Sequence, residues 1–572
     1  MGVLRRVAVI GAGPAGLFLA RLLRRTLPNV IVDVHERNQR HDVAGFGVAL
    51  SNRTMRRVAA RDAVVGRALV TATRPLTAVE VRLPAGLQRY DGFPVAAVSR
   101  ARLVDLLTDE AERAGVRLHH GREVRAEQLD ADVVVLADGA RSPHRAVLAE
   151  QFGTVVHTGA ARYIWLGARA DLGDAATMIF VPTAYGPMAA HVYAYGDGAS
   201  TVVVELDDGT WRGAGLDRLT RPAGAPGEIG DEGLALLNDV FAPHLGAALV
   251  SNRSRWSRFE VVTNRRWSDG NRVLVGDAAH TAHFTVASGT SLALEDALAL
   301  TAALATHDDS AAAFDAYERQ RRGPVARVQR LAAGSMRWWE TYGRRLRMPP
   351  AQFGLHFVTR TTAIGYLGLR RRCPGAVDEA EAAYRKESGM AAAETFGDAV
   401  ATPLRTGRWR LPNRLVEFGD ARSVAAPLRP AGLLRSPAHG WTVRAHGCLD
   451  VPGSGALEIV ALAVPCPAAE EEVLAEVSGW ATRWVDGVLL LPDHAVAGWW
   501  DRTCEFGGRV RTETGLVTIG CVPADWSVDP GRDPSGDPWP HRVQLALVSA
   551  RLDLVAALPH TAAALAAPST GE

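Results

Sequence analysis

Arg6-Val7-Ala8-Val9-Ile10-Gly11-Ala12-Gly13-Pro14-Ala15-Gly16 is a short apolar run ending in three spaced glycines. The run suits one buried strand, and the G-x-G-x-x-G behind it predicts a tight turn into a helix, Leu17–Thr26. Gly11 permits the turn, Gly13 lets a pyrophosphate approach the backbone, and Gly16 lets helix and strand pack closely. Pro14 and Ala15 stand where a helix N-terminus offers unpaired N–H groups to phosphate oxygens. A second strand, Val30–His35, completes a βαβ unit. Glu36 closes it about 20 residues after Gly16, where a carboxylate can take ribose hydroxyls. Strand, helix and acid together predict a dinucleotide site.

Which dinucleotide depends on two later segments. Asp132–Gly139 is an apolar strand ending in Asp138-Gly139, followed by Arg141, Ser142 and Arg145. Arg272–Val275 is a second such strand, ending in Gly276-Asp277. Ala287-Ser288-Gly289-Thr290 then leads into a predicted helix, Ser291–Thr301. An aspartate in the second position can accept a hydrogen bond from a ribityl hydroxyl, which FAD has and NAD lacks. The adjacent helix N-terminus can stabilise negative charge on a reduced flavin.

G-x-G-x-x-G, then Asp-Gly, then Gly-Asp, in this order, resembles the flavoprotein aromatic hydroxylases of the p-hydroxybenzoate hydroxylase fold. A narrower resemblance rests on Gly45–Ser51, Tyr163–Gly167, Gly276–Phe284, Ser288–Thr290, Leu294–Ala297 and the helical stretch Tyr317–Arg370. These are similar to the group holding salicylyl-CoA 5-hydroxylase and 2-aminobenzoyl-CoA monooxygenase/reductase, and more distantly to the violacein-pathway hydroxylase. The common hydroxylases carry proline where this chain has His283 and Phe284.

The resemblance covers roughly residues 1–385. It implies FAD, NADPH or NADH as reductant, and O₂ adding at flavin C4a as a hydroperoxide that hydroxylates or epoxidises an electron-rich aromatic ring. By motif position it assigns Gly11, Gly13, Gly16, Glu36 and Arg37 to the ADP half. Arg100 goes to the phosphate and ribityl region. Asp138 and Gly139 form the second cofactor motif, and Gly276, Asp277, Gly289 and Thr290 hold the ribityl chain and pyrimidine edge. His283, on the loop that passes the isoalloxazine in this fold, is the catalytic candidate, although a packing or capping histidine reads equally from sequence. His191, Tyr193 and Tyr195 alternate and so share one strand face. With Gly47 they make a candidate substrate pocket, or else ordinary core. Arg344–Arg347 and Arg370–Arg372 read more as solvated faces than as sites for a CoA phosphate, and Trp338 and Trp339 as helix-packing residues.

The 572-residue chain is too long for one core. A net charge of +2 gives no reason to expect nucleic acid or a membrane surface as partner. The five cysteines form no C-x-x-C pair, which fits a reducing compartment and no metal site. No run of about 18 apolar residues lacks charge, so a cytoplasmic location is expected. Lys386 is the only lysine. A halogenase reading fails for want of a lysine in the N-terminal third and of a W-x-W-x-I-P segment.

The expected architecture is α/β. A Rossmann-like FAD-binding domain (1–160 and 265–335) is joined to an antiparallel substrate domain (161–264) and a helical region (336–396). A C-terminal α/β domain (397–572) resembles a truncated TIM barrel of the ene-reductase type. Leu411–Val416 resembles that barrel's opening strand, and Val517–Cys521 with Ala550–Ala556 its late strands. A complete barrel takes about 250 residues, so FMN is not expected there. The expected partner is a small aromatic substrate, an aryl-CoA thioester or a biosynthetic aromatic or indole intermediate, bound by a monomer or homodimer. An FAD-dependent reductase or oxidase, or a non-catalytic flavin-binding scaffold, are the competing readings.

Overall fold

A computed structural model describes residues 4–219, 226–390, 399–406, 409–411, 414–417, 443–451, 455–481, 485–491, 498–523 and 537–557. The chain divides into two compact units, Met1–Gly343 and Arg344–Glu572. The first holds β1 (Arg6–Ile10), β2 (Ile31–His35), β3 (Gly47–Ser51), β4 (Arg74–Leu83), β5 (Gly86–Ser99), β6 (Arg117–His119), β7 (Val133–Leu136) and β8 (Thr154–Ala168). It continues with β9 (Ala175–Thr183), β10 (Gly186–Gly196), β11 (Ala199–Leu206), β12 (Leu249–Val250), β13 (Ser257–Asn264), β14 (Ser268–Asp269) and β15 (Arg272–Leu274).

One sheet runs β14-β15-β7-β1-β2-β6, parallel throughout except for the short β14 edge. Helices cover it, so β1 and β7 are apolar on both faces: the consecutive pairs Val7-Ala8 and Val133-Val134 are all at most 3 % exposed. Helix Pro14–Thr26 starts three residues before its expected start, because Pro14 already has the backbone that a first helical turn needs. This helix packs against helix Gly289–Thr306. Both start at the carboxyl ends of the parallel strands, the edge where open α/β sheets bind ligands.

The second sheet runs β12-β8-β11-β10-β9-β4-β5-β3, with β13 paired to β8. It draws three strands from residues 47–99, and β8 begins at Thr154, so a boundary at 160 cuts through a strand. The physical reason is that β4 and β5 alternate buried Leu76, Ala78, Val81 and Tyr90 with Glu80, Arg82, Arg89 and Asp91. Those outward charges pair with one another and hide the strand pattern. A boundary at 335 likewise falls inside the continuous helix Ser310–Glu340.

In the second unit, helices Pro350–Val358, Tyr366–Arg372 and Pro374–Glu387 precede β16 (Leu404–Thr406), β17 (Trp409–Leu411) and β18 (Leu415–Glu417). After them come β19 (Val443–Val451), β20 (Gly455–Ala463), β21 (Gly487–Leu491), β22 (Val517–Val522) and β23 (Leu554–Ala557). The sheet order is β18-β23-β22-β21-β20-β19, parallel except for β19 against β20. Helices Glu470–Ala481, Trp499–Thr514 and Trp539–Val548 cross between successive parallel strands. First strand beside last, then descending order, is the neighbour order of a (β/α) barrel. Closure is absent among the described residues: β18 and β19 are edges, so the sheet is open. Lys386 is exposed in the last turn of helix Pro374–Glu387.

Candidate active site

The glycine turn is built as its residue types require. Gly11 has φ +108, and a Cβ there would lie 2.4 Å from the Ala137 carbonyl oxygen. On Gly16 a Cβ would lie 2.1 Å from the Gly11 oxygen. Gly13 differs, since nothing lies within 4 Å of the place its Cβ would occupy. Helix Pro14–Thr26 has no side-chain cap, so its first N–H groups face that open space. Glu36 Oε2 accepts from the Ala12 N–H at 2.9 Å, which sets the carboxylate beside the turn. Arg37 follows it, exposed.

The two aspartate motifs meet at the same sheet edge. Arg145, buried, donates to the Ala278 carbonyl at 3.1 Å and to the Ala140 carbonyl at 2.5 Å, tying one loop to the other. Asp138 takes His144 Nδ1 on Oδ2 at 2.8 Å, while its Oδ1 is buried without a hydrogen-bond partner. Its neighbour Gly139 has φ +87 and open space over its Cα. Asp277 lies on a short turn, Gly276–Ala278, with its carboxylate open to the cleft. Although it is exposed, the surrounding protein displaces enough bulk water to raise its pKa above the usual carboxylate range, opposed by His280 and Arg100. Arg100 opens helix Arg100–Arg113, and its N–H donates to the Phe46 carbonyl at 2.8 Å.

Helix Gly289–Thr306 starts two residues earlier than expected and also lacks a side-chain cap. A Cβ on Gly289 would sit 3.8 Å from Asp277 Oδ1, so Gly289, with Thr290 next in the helix, faces the aspartate turn. The entry is strained: Ala287 has φ +51, and Ser288 Oγ is buried without a partner. Asp296, fully buried on this helix, holds the turn from behind. It accepts from the Gly276 N–H at 3.0 Å, pairs with His280 Nε2 at 2.8 Å and takes Arg321 Nε at 2.7 Å. These charges keep its carboxyl below the ordinary range despite burial. Asp296 stands inside a quoted motif, but nothing in sequence spacing points it at Gly276. Two uncapped helix ends, open space over Gly13 and unsatisfied Asp138 and Ser288 oxygens form a cradle that a polar anionic ligand completes.

The other sheet supplies an aromatic enclosure. Phe284 lies 4.9 Å from the Tyr163 ring, 6.0 Å from Trp165 and 5.6 Å from His191. His283 packs edge-on to Phe259 at 4.8 Å. His191 Nε2 meets Glu205 Oε2 at 2.9 Å, and His283 Nε2 lies 3.7 Å from Glu205 Oε1. His191 and His283, 92 positions apart in the chain, therefore share one carboxylate that is 1 % exposed. His283 Nδ1 bonds Thr285 Oγ1 at 2.8 Å, which in turn meets Ser335 Oγ at 2.7 Å. Trp339 packs tilted against His191 at 3.8 Å and stacks on Phe180 at 5.5 Å. Glu205 is the residue that sequence reading missed. The signal was there: in Ser200–Leu206 it is the one charge, on the face shared by His191, since Glu205 pairs with Ala189 across β10.

Gly47 and Tyr193 come together away from that carboxylate. Tyr193 Oη donates to the Gly47 carbonyl at 2.8 Å, and the Gly47 N–H donates to Thr201 Oγ1 at 2.8 Å. A Cβ on Gly47 would strike the Tyr195 ring at 2.4 Å. Burial pushes the Tyr193 phenol up. This pair acts as a strut between β3 and β10, whereas His191 faces the enclosure.

A family described as FAD binding domain matches residues 5–150 and 125–332. The chain belongs to this family of FAD-dependent monooxygenases. Within it, the chain is 40% identical to a Streptomyces salicyloyl-CoA 5-hydroxylase over 73% of its own length and 79% of that protein's. It is 35% identical to the 3-hydroxy-4-methyl-anthranilyl-[aryl-carrier protein] 5-monooxygenase of Streptosporangium sibiricum, over 65% of this chain and 99% of that one. Identity to the protodeoxyviolaceinate monooxygenase of Chromobacterium violaceum is 30%, over 63% and 95%. The cradle fits the FAD of this family: both helix ends can face its pyrophosphate and flavin, and Glu36 and Asp277 can accept from its two sets of hydroxyls. Among the described residues no group of histidine, cysteine and carboxylate side chains could hold a metal ion. Among them, too, no helix is long and apolar enough to cross a membrane.

Proposed function

We propose that this enzyme hydroxylates an electron-rich aromatic ring carried as an acyl thioester, using O₂ and NADH or NADPH. The observation that carries the reading is the enclosure formed by half-buried Tyr163, Trp165, Phe259 and Phe284 beside two buried imidazoles on Glu205. It adjoins the loop that also bears Asp277. The flat aromatic walls suit an aromatic ring, and two of the relatives named above act on rings carried by CoA or an aryl-carrier protein.

Bound FAD would supply the redox chemistry and oxygen transfer. The chain's part is to hold and to exclude water. Glu36 and Arg37 hold the ADP half, Gly13 and the helix end behind it admit the pyrophosphate, and Asp277 with Gly289 and Thr290 holds the ribityl and pyrimidine side. His283, held by Glu205 and Thr285, takes the proton from a ring hydroxyl or amine as the ring becomes nucleophilic. The aromatic walls keep water from competing.

A panel of free, CoA-linked and carrier-linked hydroxy- and aminobenzoates tests this, scored by stimulated NAD(P)H oxidation and by ¹⁸O from ¹⁸O₂ in the product. Thioesters should stimulate most and carry label. Stimulation only by free acids would overturn the thioester assignment, and an oxidised or reduced product without label would make the enzyme a reductase or oxidase.

A further inference from the structure

The unit Arg344–Glu572 contains a cavity of about 270 Å³. Arg414 and Asp553, which line it, immediately precede β18 and β23, so it lies where the parallel strands begin. Barrel enzymes work at the opposite, carboxyl ends. The cavity is therefore unrelated to a barrel phosphate site, and it belongs to the unit without the flavin cradle.

Leu404, Leu547 and Leu552, each at most 4 % exposed, give it a narrow apolar face beside a larger polar one. Arg414, 5 % exposed, forms the polar wall. Its Nη2 donates to Ser388 Oγ at 2.8 Å and its Nη1 to the Asp553 carbonyl at 3.2 Å. The guanidinium lies over the Tyr384 ring at 5.1 Å. All three partners are neutral, and Nε is buried without an acceptor. The nearby Asp553 carboxylate is already used: Oδ1 accepts Arg511 Nε at 2.8 Å, and Oδ2 accepts the Thr518 N–H and hydroxyl at 3.1 and 3.2 Å. Among the described residues no carboxylate pairs with Arg414. A buried charge without a counter-charge is costly, and an anion on this wall removes the cost. Glu387 stands exposed at the rim and repels dianions.

We infer that this pocket binds a small organic carboxylate, its carboxylate on Arg414 and its apolar body over Leu404, Leu547 and Leu552. The volume, just below the roughly 300–1,000 Å³ of drug-sized sites, sets the limit at about one ring.

The test is calorimetric titration of the full-length, FAD-loaded protein with benzoate and, separately, inorganic phosphate. Benzoate should bind and phosphate should bind more weakly. Arg414→Met should weaken benzoate about ten- to a hundredfold, the worth of a charged hydrogen bond. Leu547→Phe, which fills the apolar face and keeps Arg414, should abolish binding, and it serves if Arg414→Met does not fold. Glu387→Gln, at the exposed rim, should tighten benzoate by about two- to fivefold. No benzoate binding, phosphate binding as tight as benzoate, or benzoate binding unchanged by these substitutions (and so located elsewhere) would each overturn the assignment.

Discussion

At the scale of single residues, the two histidines that meet at Glu205 do different work. His191 is locked between Glu205 and Trp339, whereas His283 lies at a looser 3.7 Å from the same carboxylate, on the loop that leaves Asp277. His283→Ala should therefore leave FAD content unchanged and lower the ratio of hydroxylated product to NAD(P)H consumed by about 10²-fold or more, the usual worth of a positioned acid or base. Peroxide release measured beside product formation checks it, and full coupling would remove His283 from the chemistry. Asp277 gives a pH prediction. Its carboxyl pKa is raised in the fold, so the native state holds the proton more tightly than the unfolded chain does. Stability of the FAD-free protein should thus fall as pH rises from about 4 through the raised pKa. Asp277→Asn should melt higher than the parent at pH 7, with the gap closing toward pH 4, and it should retain less FAD. A constant gap across that range would place the carboxyl's titration in the ordinary region.

At the scale of elements, the three glycines of the first turn separate folding from binding. Gly16→Ala drives a Cβ to 2.1 Å from backbone and should abolish soluble protein or its FAD. Gly13→Ala meets no protein atom within 4 Å, so the FAD-free fold should melt as the parent does while FAD affinity drops. Equal FAD affinity in Gly13→Ala would mean that the pyrophosphate does not cross there. The helix Gly289–Thr306 depends on Asp296. Breaking a buried ion pair costs about 3–5 kcal/mol; Arg321 keeps Glu295 at 2.9 Å, so Asp296→Ala should cost nearer about 3 kcal/mol in urea unfolding. What the sequence displayed follows from the range of the interactions. Gly11, Gly13 and Gly16 are read by local backbone needs, and Asp277 by its place at a strand end. Glu205, Asp296 and Arg145 act on partners 14 to 133 positions away, and no periodicity encodes such distances. The strands at 74–99 were hidden for a related reason, since charges such as Glu80 and Arg89, paired across strands, look like loop when taken one at a time.

At the scale of the whole molecule, every residue assigned to FAD lies before residue 343, within one compact unit. A fragment ending at Gly343 should purify yellow and be reduced by NAD(P)H. A colourless, aggregated fragment would show that the second unit is needed for the first to fold. In the sequence that second unit reads as a helical region followed by an α/β domain resembling a shortened barrel, from the strands near Leu411–Val416, Val517–Cys521 and Ala550–Ala556. That resemblance carries the neighbour order, but not the open edges found among the described residues, because edge and interior strands share the same residue types. Its helix Pro374–Glu387 also carries the one lysine in 572 residues, exposed and adjacent in sequence to Glu387. An amine-reactive dye can reach only that ammonium and the chain's α-amino group, and α-amines as a class are the first to react near neutral pH. Blocking the α-amine first leaves a single-position fluorophore one residue before Glu387, which lines the Arg414 cavity, with no cysteine engineering and no mutation.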